Sequence, residues 1–190
     1  NARPKQFPYQ VFYDIEINKQ WKPNCGGTII GKKTILTAAH CLDGSERIKI
    51  YFGAVDKSKS TETGQQIVIV EAGSYVIHED WNLGKMSNDI ALIKLPTDLE
   101  FNQYIQPAKL PEPNNLYADK TTIVSGWGRV GFVTTEHLQY TKVKTISNEK
   151  CKRIFNFDMK FLSHWLCVAP NEKRTCKGDS GGPLAERNPD

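Results

Sequence analysis

Short apolar or alternating runs recur along the chain, each separated from the next by turn residues. Examples are Thr28 to Ile30, Thr34 to Leu36, Ile48 to Phe52, Ile67 to Val70, Ile90 to Leu95, Thr121 to Val124 and Lys142 to Ile146. These runs are rich in Ile, Val, Thr and aromatic residues, which suit a pleated, half-buried surface, so the chain reads as all-β. Helical signals are weak; Asn148 to Phe155 can hold one short helix with Ser147 as its N-cap. Between Pro96 and Lys120 the composition shifts. Pro96, Pro107, Pro111 and Pro113 sit among Asn and Asp residues with little periodicity, as in a surface linker between two β units. There is no internal repeat and no low-complexity tract.

With 190 residues, 39% hydrophobic and 24% charged, the chain can bury a core as one large domain or two small ones. No stretch approaches the ~18 consecutive apolar residues of a membrane-spanning helix. No basic-then-apolar leader occurs, so any secretion signal is expected to have been removed or left out. The formal net charge is +4, spread over scattered lysines such as Lys57, Lys59, Lys142, Lys144, Lys150 and Lys152. Without a dense basic run or interleaved aromatics, this is an ordinary solvated surface, and no nucleic-acid partner is expected.

The cysteines are Cys25, Cys41, Cys151, Cys167 and Cys176. None forms a Cys-x-x-Cys pair, which argues against structural zinc. Cys25 and Cys41 could close one loop and Cys151 and Cys167 another, leaving Cys176 alone. A partner outside this chain would explain the odd residue.

Three motifs carry chemistry. Thr37-Ala38-Ala39-His40-Cys41 follows a short strand, and Asn88-Asp89 leads the apolar run to Leu95. Read alone, His40 and Asp89 are more often structural residues than catalytic ones. Gly178-Asp179-Ser180-Gly181-Gly182-Pro183 is more specific. A serine flanked by glycines on a tight turn exposes its Oγ, lets a substrate backbone come close, and leaves turn amides free to face an oxyanion. A plain glycine-rich loop is the competing reading of this motif by itself.

Together these strings, in the order His, Asp, Ser, resemble the chymotrypsin/trypsin family. The resemblance also takes in Phe7-Pro8-Tyr9-Gln10-Val11, Cys25-Gly26-Gly27-Thr28-Ile29-Ile30, Ser125-Gly126-Trp127-Gly128 and the run from Cys176 to Pro183, and so covers essentially the whole chain. It implies one peptidase domain of two packed antiparallel β-barrels, the first over about residues 1–95, a linker over 96–120, and a partial second barrel over 121–190. The mechanism it implies is the one established for this family. Ser180 attacks the scissile carbonyl, His40 takes its proton and returns it to the leaving amine, and Asp89 orients the imidazole. The backbone N–H groups of Gly178 and Ser180 form the oxyanion hole. The same resemblance pairs Cys25 with Cys41, Cys151 with Cys167, and Cys176 with a cysteine outside this chain; disulfides imply an oxidising, extracellular setting. Asp179 is expected to pair with the α-amine that zymogen cleavage frees. No cofactor is implied, and no metal site, because Ala54-Val55-Asp56-Lys57 lacks the glutamate that opens the family's calcium loop.

The chain also departs from the family pattern. It starts at Asn1, after the usual apolar first residue, and stops at Asp190 soon after the nucleophile, so an incomplete sequence is expected. The position that forms the base of the specificity pocket is Arg174, flanked by Thr175, with Lys177 nearby. Arg174 argues against cleavage after Lys or Arg. An unpaired Arg174 would favour an acidic P1 residue; a paired or solvent-facing one would favour an apolar P1. Because a buried unpaired arginine is costly, the apolar outcome ranks first. Protein or peptide substrates and protein inhibitors are the expected partners, with no membrane association. A non-catalytic homologue acting as a protein-binding scaffold is the alternative to a secreted endopeptidase; loss of a triad residue would mark it, and all three are present.

Overall fold

A computed structural model describes the chain except for residues 60, 114, 157–163, 171–174 and 187–190. Among the described residues it is all-β, with one short α-helix. The first sheet contains β1 (Gln10–Ile17), β2 (Gln20–Gly31), β3 (Thr34–Thr37), β4 (Arg47–Phe52), β5 (Gln66–Glu71), β6 (Tyr75–Ile77) and β7 (Ala91–Lys94). All neighbours are antiparallel, in the order β5-β4-β1-β2-β3-β7-β6. The two edge strands, β5 and β6, are joined by the 3-10 turn Ala72–Ser74, so the sheet curls back on itself as a barrel does. Alternation drives this curvature inward. In β4, Ile48, Ile50 and Phe52 are fully buried while Arg47, Lys49 and Tyr51 stay at least partly exposed. Their inner faces meet Val11, Tyr13, Ile29, Ile35 and Ile93 in one core.

The second, smaller sheet holds β8 (Thr121–Gly126), β11 (Gln139–Ile146), β12 (Cys167–Val168) and β13 (Leu184–Glu186), in the order β12-β11-β8-β13. Between β8 and β11 a hairpin of β9 (Arg129–Val130) and β10 (Val133–Thr134) projects outward. Helix α1 (Asn148–Phe155) follows β11; Ser147 Oγ accepts the Lys150 N–H at 3.3 Å, and Asn156 ends the helix in the left-handed region.

Two devices fix the sheets against each other. Phe7, Phe12, Val55, Trp127 and Leu138 form an apolar cluster drawn from both sides, with Trp127 Nε1–H donating to the Val55 carbonyl at 3.2 Å. The buried Ser125 hydroxyl donates to Gln10 Oε1 at 2.6 Å, a bond across 115 positions of sequence. The described residues of 96–120 contain no strand, but they are tied down. Leu99 and Ile105 are buried in the first core, and the Ala108 N–H donates to the Ile29 carbonyl at 2.8 Å.

Candidate active site

His40 lies in the 3-10 turn Ala39–Cys41 that follows β3. The turn is pinned on its sequence-distant side by the Cys25–Cys41 disulfide. Asp89 sits just ahead of β7, which pairs with β3, and that pairing carries its carboxylate beneath His40. The clamp has two points. Asp89 Oδ1 accepts the His40 backbone N–H at 2.9 Å, and Oδ2 lies 2.7 Å from His40 Nδ1. A carboxylate bound to both the main chain and the ring leaves the imidazole little rotational freedom. With Nδ1 as donor, Nε2 carries the free lone pair, the tautomer a general base needs. Nε2 lies 3.5 Å from Cys41 Sγ, and no hydrogen bond joins it to Ser180 among the described residues. The sulfurs of Cys25 and Cys41 cluster with His40, but both are spent in a disulfide and offer no thiolate to a metal.

Beneath this turn runs a network that the sequence motifs did not indicate. The hydroxyls of Tyr13 and Thr37 lie 2.9 Å apart, and the Thr37 hydroxyl donates to the Gly26 carbonyl at 2.9 Å. Burial pushes the Tyr13 phenol well above the usual tyrosine range. The only sequence clue was Thr37 itself, which stands inside the His40 string.

Ser180 reaches the same place from the second sheet. Its carbonyl accepts the Gly26 N–H at 2.8 Å, one residue from the Cys25–Cys41 bridge that abuts His40. Gly181 permits this approach. Its φ is +76°, and a Cβ there would strike Thr37 Oγ1 and lie 2.6 Å from the Gly26 carbonyl oxygen. The Asp179 carboxylate braces the loop from the other side, accepting N–H groups from Gly128 at 2.8 Å and Cys176 at 2.9 Å. Gly126 and Gly128 leave the room it needs: a Cβ on either would run into that carboxylate. Among the described residues Asp179 has no cationic partner, and neither the Gly178 nor the Ser180 backbone N–H is engaged. Gly178 itself adopts φ +100°.

Thr175, Cys176, Lys177, Asp179 and Ser180 line an open depression of about 460 Å³. Arg174 lies outside the described residues. Cys151 is bonded to Cys167, whereas Cys176 is an exposed free thiol.

A curled antiparallel barrel presenting an Asp-clamped histidine to a Gly-Asp-Ser-Gly loop from a second β unit is the architecture of a two-barrel serine endopeptidase. The chain matches the trypsin family model over residues 1–189 and belongs to that family. It is 34% identical to a chymotrypsin from Phaedon cochleariae, over 97% of this chain and 67% of that one. It is 32% identical to mouse chymotrypsin-C, over 97% and 69%. Identity to a collagenase from Hypoderma lineatum is 34%, over 96% and 69%. A solved structure of HL collagenase superposes with a TM-score of 0.84 at 33% identity, covering 97% of this chain and 78% of that one, and has the same trypsin-like fold of two β-barrels. The protein is therefore a serine endopeptidase whose substrates are proteins or peptides. Proteases of this family are typically secreted, and no described helix is long and apolar enough to cross a membrane.

Proposed function

We propose that this endopeptidase works through a Ser180–His40–Asp89 triad and an acyl-enzyme intermediate, in one peptidase domain built from the two β units with residues 96–120 as the connection between them. The observation that carries this reading is the two-point grip of Asp89 on His40, with Ser180 tied to Gly26 beside it. Ser180 Oγ attacks the scissile carbonyl as His40 Nε2 takes its proton; His40 then protonates the leaving amine, and a water repeats the sequence on the acyl-enzyme. The unengaged N–H groups of Gly178 and Ser180 receive the oxyanion. Catalytic hydrogen bonds often tighten only when substrate is bound, so the absence of a His40–Ser180 bond in the free chain is compatible with this assignment. Asp179 is assigned to the activation ion pair, with the Gly128 and Cys176 amides holding its carboxylate in place.

The pocket is assigned to Arg174, Thr175 and Lys177. Lys177 is a second cation lining the depression beside Ser180, so a basic P1 side chain meets like charge there. Of the two outcomes, an apolar or an acidic P1 residue, the apolar one ranks first because a buried unpaired arginine is costly. Secretion accords with the disulfides, and a protein inhibitor is the expected macromolecular partner besides substrate; neither nucleic acid nor membrane is assigned.

A serine-directed phosphonate should label wild type at Ser180, and Ser180→Ala and His40→Ala should each abolish labelling and turnover. Turnover that survives Ser180→Ala would sink the assignment. On a peptide library varied only at P1, cleavage after Lys or Arg should be the weakest class; efficient cleavage there would reject the pocket.

A further inference from the structure

Tyr13, in β1, is fully buried in the core of the first sheet, among mostly aliphatic side chains. Phenylalanine would fill the same space without a buried hydroxyl to satisfy, and an unsatisfied hydroxyl there is costly. The Tyr13 hydroxyl lies 2.9 Å from Thr37 Oγ1, and Thr37 is itself buried. A threonine hydroxyl has a single proton, and that of Thr37 goes to the Gly26 carbonyl at 2.9 Å. The direction of the first bond is therefore fixed: Tyr13 donates and Thr37 accepts. Burial raises the pKa of the phenol, which keeps its proton in place at neutral pH.

Thr37 stands where the parts of the candidate site meet. It ends β3, three residues before His40. In the β3–β7 register it faces Ala91, two residues past Asp89. From the second sheet Gly181 comes so close that a Cβ on it would strike Thr37 Oγ1, and beside it the Gly26 N–H donates to the Ser180 carbonyl. Hydrogen bonds no longer than 2.9 Å lead from Tyr13 to Thr37, from Thr37 to Gly26 and from Gly26 to Ser180. The Thr37 hydroxyl is thus the surface on which the nucleophile's loop rests. A threonine carries a methyl and a hydroxyl on one carbon, and rotation about Cα–Cβ exchanges their places. The methyl is the larger group, so a Thr37 that turns it toward Gly181 pushes the loop back. The bond to Gly26 restrains this rotation once, and the bond from Tyr13 restrains it a second time from another strand.

We propose that Tyr13 is a positioning residue for the nucleophile: by donating to Thr37 Oγ1 it holds the Thr37 side chain in the rotamer on which the Ser180 loop seats, and so keeps Ser180 in register with His40. It acts through Thr37 and touches neither substrate nor reacting atoms. This inference rests on the catalytic reading above. Without the phenol hydroxyl Thr37 is freer to turn, the loop is displaced in a larger share of molecules, and turnover falls while substrate binding does not.

Tyr13→Phe in the activated full-length protein should lower kcat about tenfold, the scale of one buried hydrogen bond, and leave KM unchanged. The pH below which turnover falls is set by His40 and should not move, because the Asp89 clamp is untouched. Thr37→Val should lose at least as much kcat, and adding Tyr13→Phe to it should cost nothing further, because Tyr13 acts through Thr37. An unchanged kcat in Tyr13→Phe, a rise in KM in place of the kcat loss, or losses that multiply in the double variant would overturn the proposal. Amide hydrogen exchange gives a readout that needs no turnover. Tyr13→Phe should speed exchange at the Gly26 amide, which bonds to the Ser180 carbonyl, about tenfold relative to the Ile29 amide of the same strand, which bonds to the Tyr9 carbonyl. An equal change at both amides is a general loosening of the barrel and rejects the positioning role. Gly26 exchange reports the seat of the loop by itself, so it decides this point even if Ser180→Ala keeps turnover and the triad assignment falls.

Discussion

Gly181 and Gly44 make a matched pair for testing what places Ser180. Their φ angles are +76° and +75°, so alanine at either position carries the same backbone penalty, about 1–2 kcal/mol for an L-residue held in the left-handed region. Their surroundings differ. Nothing lies within 4 Å of a Cβ built on Gly44, whereas one on Gly181 meets Thr37 Oγ1, the Gly26 carbonyl oxygen at 2.6 Å and the Ala38 nitrogen at 3.1 Å. To reach ordinary contact, 3.4 Å, with the Gly26 oxygen, the chain at 181 must withdraw by about 0.8 Å. Backbone atoms of β2 and the His40 turn cannot yield cheaply, so the displacement falls on the loop and draws Ser180 away from His40.

A misplacement of about 1 Å in reacting groups costs on the order of a hundredfold in rate. Gly44→Ala should therefore keep wild-type kcat while losing roughly 2–8 °C of Tm, from its backbone strain alone. Gly181→Ala should lose at least as much Tm and in addition about a hundredfold in kcat, with a matching fall in the rate of phosphonate labelling. Calorimetry and single-turnover kinetics on the two variants side by side give the comparison. If Gly181→Ala retains wild-type kcat, or if Gly44→Ala loses as much activity as it does, then the close seating of this loop on Thr37 and Gly26 is not what positions the nucleophile.

Two further outcomes follow from the same neighbourhood. Asp89→Asn should reduce kcat by about 10⁴-fold, a magnitude taken from the corresponding change in this family's triad rather than worked from these distances, with a much smaller effect on KM; a loss under tenfold would show that the clamp on His40 is not needed for turnover. Tyr13, neutral and buried, keeps its proton in the folded chain at pH values where the unfolded chain ionises, so stability is fully present below about pH 10 and falls above it by about 1.4 kcal/mol per pH unit on this residue's account. Denaturant titrations at pH 9, 10 and 11 should show a fall steeper than this, because burial also raises the phenols of Tyr9, Tyr51 and Tyr75, and Tyr13→Phe should reduce the slope by about 1.4 kcal/mol per pH unit; an unchanged slope would mean that Tyr13 does not contribute to the alkaline limit.

How much of this was legible beforehand depends on the range over which each feature is determined. The all-β character and α1 were readable because alternation and an N-cap are local. Ser147 caps α1 as its sequence position suggests, and Ile48, Ile50 and Phe52 bury one face of β4. The family was readable because its strings around His40, Asp89 and Ser180 are contiguous. β1 was not singled out, although it is the strand on which β2 and β4 both pair, because its outer face alternates Phe12, Asp14 and Glu16 and so lacks a uniform polar signal. The short strands β9, β10, β12 and β13 were missed for another reason: two or three residues carry too few alternations to register.

The bonds that bring the site together are non-local. Gln10 with Ser125, Ser180 with Gly26, and Tyr13 with Thr37 are each polar residues or plain glycines whose partner lies 24 or more positions away. No period or spacing in the chain encodes such a pairing; only the sheet registers do. The glycines show the difference most clearly. Beside a serine, Gly181 reads as a freedom, a way to make a tight turn. In the folded chain it is a restriction, because Thr37 and Gly26 from the other β unit occupy the space where a side chain would stand. The residue types around Ser180 are set as much by the His40 turn as by the serine itself, which is why the two halves of the site can be recognised separately in sequence while their fit to each other is visible only in the fold.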